Sequence, residues 1–241
     1  MAFCGAWASK KGDLRMESAA SKILGSEWYW ETVNDLFQVR GGRGFMTAES
    51  QRRSGEIDVP VMQMMRDARI NLIGEGANDV LRSFVAGVGL RHLGMELLEI
   101  SKHWSKAGLL LRTAPGIPIA HSRLQPAAAK LSRQISQFAR QCQMALIRYR
   151  EDVVNQQYVL SRLGDTAMEL FVSGCVYSRL VSLIQNPLPN ETQMRQDMQS
   201  GILYLDSAWR RNDRRLAELA NNDDSQEICT ADAFLNAGES H

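Results

Sequence analysis

The sequence contains almost no strand signal. Nowhere do β-branched and polar residues alternate between turn residues over a sustained stretch, which excludes a sheet-based architecture. Cysteine is sparse as well. Cys4, Cys142, Cys175 and Cys229 are scattered and form no CxxC pair, so they read as separate thiols in a reducing compartment. His92, His103, His121 and His241 share no metal-ligand spacing with one another or with the cysteines, and no metal is expected. No apolar run approaches the roughly 18 residues that span a bilayer. The opening MAFCGAWASKKGDLRMES lacks a continuous apolar core behind a basic tip, so it is not read as a signal peptide. An excess of charge is missing too. Lys plus Arg is 28, Asp plus Glu is 27, and the formal net charge is +1. That balance gives no reason to expect nucleic acid or a strongly anionic surface as a partner.

What is present is helical periodicity in a chain of 241 residues with globular hydrophobic content, 44%. The fold class expected is all-α, a helical bundle. Met16, Ala19, Ala20, Ile23 and Leu24 form one apolar stripe, with Ser18, Lys22 and Glu27 assigned to the outer side. Gln38 to Pro60 reads as a glycine-rich break followed by a polar connection, with Pro60 at a helix start. Leu81, Phe84, Val85 and Val88 give a buried face. Residues 108–125, with Pro115, Gly116 and Pro118, read as a linker. Leu131, Ile135, Phe138, Cys142, Ala145 and Tyr149 then step as an a/d seam. YREDVVNQQ turns the chain, and a long helix follows with Leu160, Leu163, Ala167, Leu170 and Phe171 on its apolar side. NPLPN ends it. A last helix from Glu191 towards Ala220 uses Met194, Met198, Ile202, Leu205 and Trp209. The polar tail beyond Asn221 is expected to fray.

Two short stretches could carry chemistry. In QVRGGRGF, Gly41, Gly42 and Gly44 can expose backbone N–H groups to a phosphate. The stretch does not match the dinucleotide fingerprint, and by itself it reads as a helix terminator and turn. In INLIGEGANDVLRSF, Glu75 stands between Gly74 and Gly76. Taken alone, Glu75 and Asp79 read as charges favoured near a helix N-terminus, worth about 0.3–1 kcal/mol, with Asn78 as a candidate N-cap. The Trp28–Trp30 pair reads as packing, and His92 and His103 as boundary residues of a bundle.

The order of the pieces adds a resemblance. QVRGGRGFM followed by MRDARINLIGEGANDVLRSFVA resembles the C-terminal helical domain of the acyl-CoA dehydrogenase family. The upstream MESAASKILGSEWYW resembles the helix before that family's glycine loop. The downstream NQQYVLSRLGDTAMELFVSGCVYSRLVSLIQ resembles the extra helical domain of the very-long-chain branch. Together these stretches cover most of the chain.

The resemblance implies a flavin-dependent oxidoreductase that forms the α,β double bond of a fatty acyl-CoA. It makes Glu75 the catalytic base that removes the α-proton, with a hydride passing to FAD. Covering by flavin and acyl chain strengthens a carboxylate as a base, and the N–H of Glu75 supports the developing enolate. Gly76 leaves room for substrate. Gln38, Gly41, Gly42 and Gly44 fall to the ADP half of a flavin bound mainly by the neighbouring subunit of a homodimer, with Asn78 and Asp79 nearby. An electron-transfer flavoprotein is the implied acceptor. The location implied is cytoplasmic, or the mitochondrial matrix in a eukaryote. A peripheral membrane contact is placed on SKHWSKAGLLLRTAPGIPIA.

Three departures stand out. Ala77 replaces the family's usual Thr. The connection TAESQRRSGEIDVPV is longer than usual. Met1 falls midway through the family's fold, so the N-terminal helical domain and middle β-domain are not in the chain. The domains expected are 1–107, with the catalytic Glu, a linker at 108–125, and a helical extension at 126–241. The chain alone is expected to be incomplete and inactive. The alternative reading is a helical dimerisation or membrane-proximal scaffold.

Overall fold

The computed structural model describes residues 13–101 and 116–238. Among these there is no strand. The chain divides into two compact units, residues 1–88 and 89–241. KHWSKAGLLLRTAP, most of the expected membrane contact, lies outside the described residues together with His103 and the first part of the linker, as does the side chain of His92.

In the first unit, α1 (Arg15–Arg40) runs into a 3-10 turn at Gly41–Phe45. The short α2 (Ala48–Arg53) follows, opened by Thr47, whose side chain accepts from the Ser50 N–H. Next come α3 (Val61–Ile73), entered through Pro60, and α4 (Asn78–Ser101), which continues past residue 88. Val33 on α1 and Val61 and Ala68 on α3 form a fully buried contact, with Trp30, Phe37 and Met65 packed around it. Arg69 lies over the Trp30 ring at 5.7 Å, while Trp28 is half-exposed.

The polar connection after the glycine turn is not loose. Gln51 on α2 is completely buried. Its Nε2 donates to the carbonyls of Arg43, Met46 and Val59 at 3.1–3.2 Å, and its Oε1 accepts from the Val59 N–H at 2.7 Å. One amide thereby closes the connection onto the glycine turn and satisfies four backbone groups.

The second unit is a bundle of α5 (Gln125–Tyr149), α6 (Gln157–Gln185) and α7 (Glu191–Glu218). Short 3-10 turns at Ser122–Leu124 and Arg150–Asn155 precede α5 and α6. Leu124, Ala128, Leu131, Leu170, Tyr177 and Leu180 form its core. The Tyr177 hydroxyl donates to the Pro118 carbonyl, and the Ser132 hydroxyl accepts from the Ile117 N–H. The described end of the expected linker is thus pinned to the bundle.

Four expectations are corrected. First, α6 is, by length and composition, a helix long and apolar enough to cross a membrane. The sequence reading found no such run because Arg162, Asp165, Glu169 and Arg179 interrupt it. In the structure Leu160, Leu163, Met168, Leu170, Leu180 and Leu183 of this helix are buried in the bundle. Second, Phe171, placed on the apolar side, is 39% exposed. Third, the buried residues of α7 are Ala208, Asn212 and Leu216, whereas Ile202 is 44% exposed. The cause is close approach: a Cβ on Gly201 would sit 2.7 Å from Leu180 Cδ2, so small residues face α6 and the larger apolar ones flank the seam. Fourth, the tail does not fray after Asn221. It forms α8 (Asp224–Gly238). Arg162 holds Asp224 through two bonds of 2.6 and 2.7 Å, and Asn222 Oδ1 accepts from the Asp224 N–H.

The α6–α7 seam also carries a buried charge. Glu169 accepts from Tyr204, Arg211 and Arg215. Burial pushes its carboxyl up, but the Arg211, Tyr204 and Arg215 hydrogen bonds and the Arg211 charge outweigh that and hold it below its ordinary value. Burial and the Glu169 carboxylate keep the Tyr204 phenol protonated. Burial alone pushes the Cys142 thiol up to about 12.

Candidate active-site turn and glycine turn

Residues 74–77 connect α3 to α4 by a turn that reverses handedness twice. Gly74 is extended, and its N–H closes α3 by donating to the Ile70 carbonyl at 2.7 Å. Glu75 then adopts φ +57° and Gly76 φ +99°. For glycine the left-handed region is ordinary; for a residue with a Cβ it costs about 1–2 kcal/mol. The Glu75 side chain is exposed and makes no hydrogen bond or ion pair among the described residues. Its backbone N–H has no protein acceptor among them either. Among the described residues, therefore, a glutamate is held in a costly conformation without its carboxylate or its amide serving as support.

The turn is held by its neighbours. Lys22 Nζ on α1 donates to the Gly76 carbonyl and to Asn78 Oδ1, each at 2.7 Å. Asn78 Nδ2 donates to Ser26 Oγ at 3.0 Å and to Glu27 at 3.2 Å. Glu27 also accepts from Arg82, which reaches Asp79 at 3.3 Å. Lys22 and Glu27 thus do not take an outer side, as their helical spacing suggested. They face the start of α4, because two charges that bond each other's neighbours can be half-buried together. Sequence reading missed both, along with the buried Ser26, since their partners lie more than fifty residues away.

Asn78 is buried and is the first residue of α4 rather than its N-cap. The Leu81 N–H bonds the Ala77 carbonyl at 3.0 Å, which puts Ala77 at the capping position. Asp79 is almost fully exposed.

At the other motif, Gln38 lies exposed on the last turn of α1. Gly41, at φ +57°, ends that helix, its N–H bonded to the Phe37 and Gln38 carbonyls. Gly41 and Gly42 are exposed, and a Cβ on either would meet nothing within 4 Å. Gly44 is different. It is buried, and a Cβ there would press on the Phe37 carbonyl at 3.2 Å. Gly41 and Gly42 thus leave open space beside the backbone, although the Gly41 N–H expected to face a phosphate is spent on the end of α1, and Gly44 is required by packing. Glu56 faces the same turn, 3.1 Å from Arg43.

The molecule is a helical protein in which a glycine turn precedes a left-handed Glu–Gly turn. Residues 1–90 match the family described as acyl-CoA dehydrogenase, C-terminal domain, and residues 122–233 match the ACAD9/ACADV C-terminal domain. The chain belongs to the acyl-CoA dehydrogenase family and corresponds to the C-terminal part of its very-long-chain branch. The very long-chain specific acyl-CoA dehydrogenase, mitochondrial, of Bos taurus is 34% identical over 185 residues, covering 69% of this chain and 27% of the relative. Its Rattus norvegicus counterpart is 30% identical over 234 residues, covering 90% of this chain and 34% of the relative. The probable acyl-CoA dehydrogenase FadE10 of Mycobacterium bovis is 46% identical over 76 residues, 32% of this chain and 12% of the relative. The chain spans about a third or less of the length of these relatives. The fold matches that of an acyl-CoA dehydrogenase complexed with FAD from Bacillus anthracis, with a TM-score of 0.67 at 22% identity over 89% of this chain and 35% of that one.

Proposed function

We propose that this chain contributes the proton-abstracting carboxylate and part of the flavin site of a flavin-dependent acyl-CoA dehydrogenase acting on fatty acyl-CoA. The observation that carries the reading is the Glu75 turn: an exposed, left-handed glutamate whose carboxylate and N–H have no partner among the described residues. A base must be free to meet its proton, and a donor aimed at a developing enolate must not be consumed elsewhere. Glu75 supplies both functions from one residue. Its carboxylate takes the α-proton, and its N–H donates to the thioester carbonyl. Gly76 keeps the approach open.

The residues present fit a flavin in part. Gln38 presents an exposed amide, and Gly41 and Gly42 leave room for close approach of the ADP half of FAD bound chiefly by a second subunit of a homodimer. Gly44 and Asn78 act on that site by shaping it, since one is packed on Phe37 and the other is committed to Lys22, Ser26 and Glu27. Asp79 remains open at the start of α4. Bound FAD would supply the hydride acceptor. The acceptor of its electrons is an electron-transfer flavoprotein. The mitochondrial names of the mammalian relatives support a mitochondrial location in a eukaryote, with the matrix as the compartment proposed there and the cytoplasm otherwise. The domains follow the same reading: the catalytic helical domain over 1–107, a linker at 108–125, and the extension over 126–241.

The test is a graft. This chain replaces the matched C-terminal part of the Bos taurus relative, and turnover of a long-chain acyl-CoA is measured with an artificial electron acceptor. Turnover is expected. A graft that folds, binds FAD and shows no turnover would favour the second reading, a helical dimerisation scaffold. By itself the purified chain should carry little or no flavin absorbance.

A further inference from the structure

We infer that Lys22 is a positioning residue for the Glu75 turn: its ammonium fixes the Gly76 peptide and so holds Glu75 left-handed with its carboxylate and N–H facing outward. The inference deepens the proposed role of Glu75 and rests on it only for the consequence in catalysis; the geometric claim stands by itself.

Three observations converge. The Glu75 conformation is unfavourable for a residue with a Cβ, so something outside the residue must hold it. None of Glu75's own groups does so, because its carboxylate and N–H have no partner among the described residues. The turn's tether is the Gly76 carbonyl, and the donor on it is Lys22 Nζ at 2.7 Å. The same ammonium binds Asn78 Oδ1 at 2.7 Å, so one cation clamps the turn and the first residue of α4 together. Ser26 and Glu27, on the next turn of α1, hold the amide nitrogen of Asn78. This fixes which end of that amide faces Lys22. The donor is charged and the acceptor is a backbone carbonyl, the stronger class of hydrogen bond. Rotating the Gly76 peptide would break it and let Glu75 relax to negative φ.

The groups facing this clamp divide the work. Asn78 secures the helix start; Lys22 is, among the described residues, the side chain bonded to the Gly76 carbonyl of the turn. Removing each separately therefore gives different results. In the isotopically labelled full chain, NMR backbone shifts and the N–H to Hα coupling of Glu75 report the sign of its φ, and the Gly76 carbonyl carbon reports the hydrogen bond. Lys22→Met should move both, with Glu75 shifting towards the ordinary negative-φ region. Asn78→Ala should lower the melting temperature yet leave the Glu75 signals in place. If Lys22→Met does not fold, Lys22→Gln, a shorter neutral donor, is read in its place and should displace the same signals. A role in stability alone would lower the melting temperature in each case without changing the sign of φ at Glu75. Unchanged Glu75 and Gly76 signals in the folded Lys22 variant overturn the inference.

In the grafted enzyme, Lys22→Met should lower kcat about 10- to 100-fold with KM changed less than about 2-fold, the pattern of a misplaced catalytic group. Lys22→Arg, which retains a charged donor, should recover part of it. If Glu75→Gln turns over normally while Lys22→Met still moves the Glu75 signals, the base assignment fails and the clamp stands. If the Lys22 variant leaves the turn in place while Glu75→Gln is inactive, the clamp fails and the base stands.

Discussion

Glu75 and Ala77 lie two residues apart and show how differently single residues are read. Glu75 stood out as a candidate because a carboxylate between two glycines before a helix matched a longer pattern. Its backbone conformation was not, because φ at a non-glycine residue has no composition signal. Lys22 was misassigned for a related reason. Helical spacing identifies the face of a residue but not the segment that covers that face. Ala77 occupies the capping position of α4 and offers no side-chain acceptor to the first N–H groups of that helix. Ala77→Thr should therefore stabilise the chain by about 1 kcal/mol, read as a higher urea midpoint with an unchanged slope. No gain would mean that the N-terminus of α4 is satisfied in another way.

At the scale of elements, the order and rough extent of the helices followed from periodicity and from Pro60 and NPLPN. The polar connection did not. A buried glutamine that satisfies four backbone groups looks, in sequence, like any loop glutamine. Gln51→Leu keeps the volume and removes every one of those bonds, so it should cost about 2–3 kcal/mol and expose residues 46–60 to proteolysis first. A variant within about 0.5 kcal/mol of the parent would show that the connection is held by packing alone. The α6–α7 seam makes a pH prediction. The folded Glu169 carboxyl lies below its ordinary value of 4.5. Its contribution is therefore complete above about pH 4.5 and is lost as pH falls through the lower folded value. Urea midpoints measured down this range should fall in the parent more steeply than in Glu169→Gln, which lacks that titration. Glu169→Gln should itself cost about 2 kcal/mol near neutral pH, below the 3–5 kcal/mol of a fully buried pair, because Arg211 is 41% exposed on its side chain. Parallel curves would remove Glu169 from the account.

For the whole molecule, the all-α class followed from an absence, the missing strand alternation. The glycine and proline stretch at 108–125 reads as the boundary between two halves, whereas the compact units meet at residues 88 and 89, inside α4. The family was legible through the order of two motifs, since neither the glycine turn nor the Glu75 turn points to it separately. The structure adds the local geometry. Exposed glycines stand at the end of α1, a glutamate without a partner among the described residues stands in a left-handed turn, and both turns are held by side chains that look ordinary in sequence. The chain spans about a third or less of the length of its relatives, so the proposed reaction draws on surfaces outside the motifs described.

The most direct measurement is anaerobic flavin bleaching in a single turnover of the grafted enzyme, comparing Glu75 with Glu75→Gln at saturating long-chain acyl-CoA. With Glu75 the flavin should bleach on mixing. With Gln the substrate should still bind, and bleaching should slow by about 10²–10⁴-fold, the range for loss of a general base. Equal bleaching rates in the two proteins would contradict the assignment of Glu75 as the base.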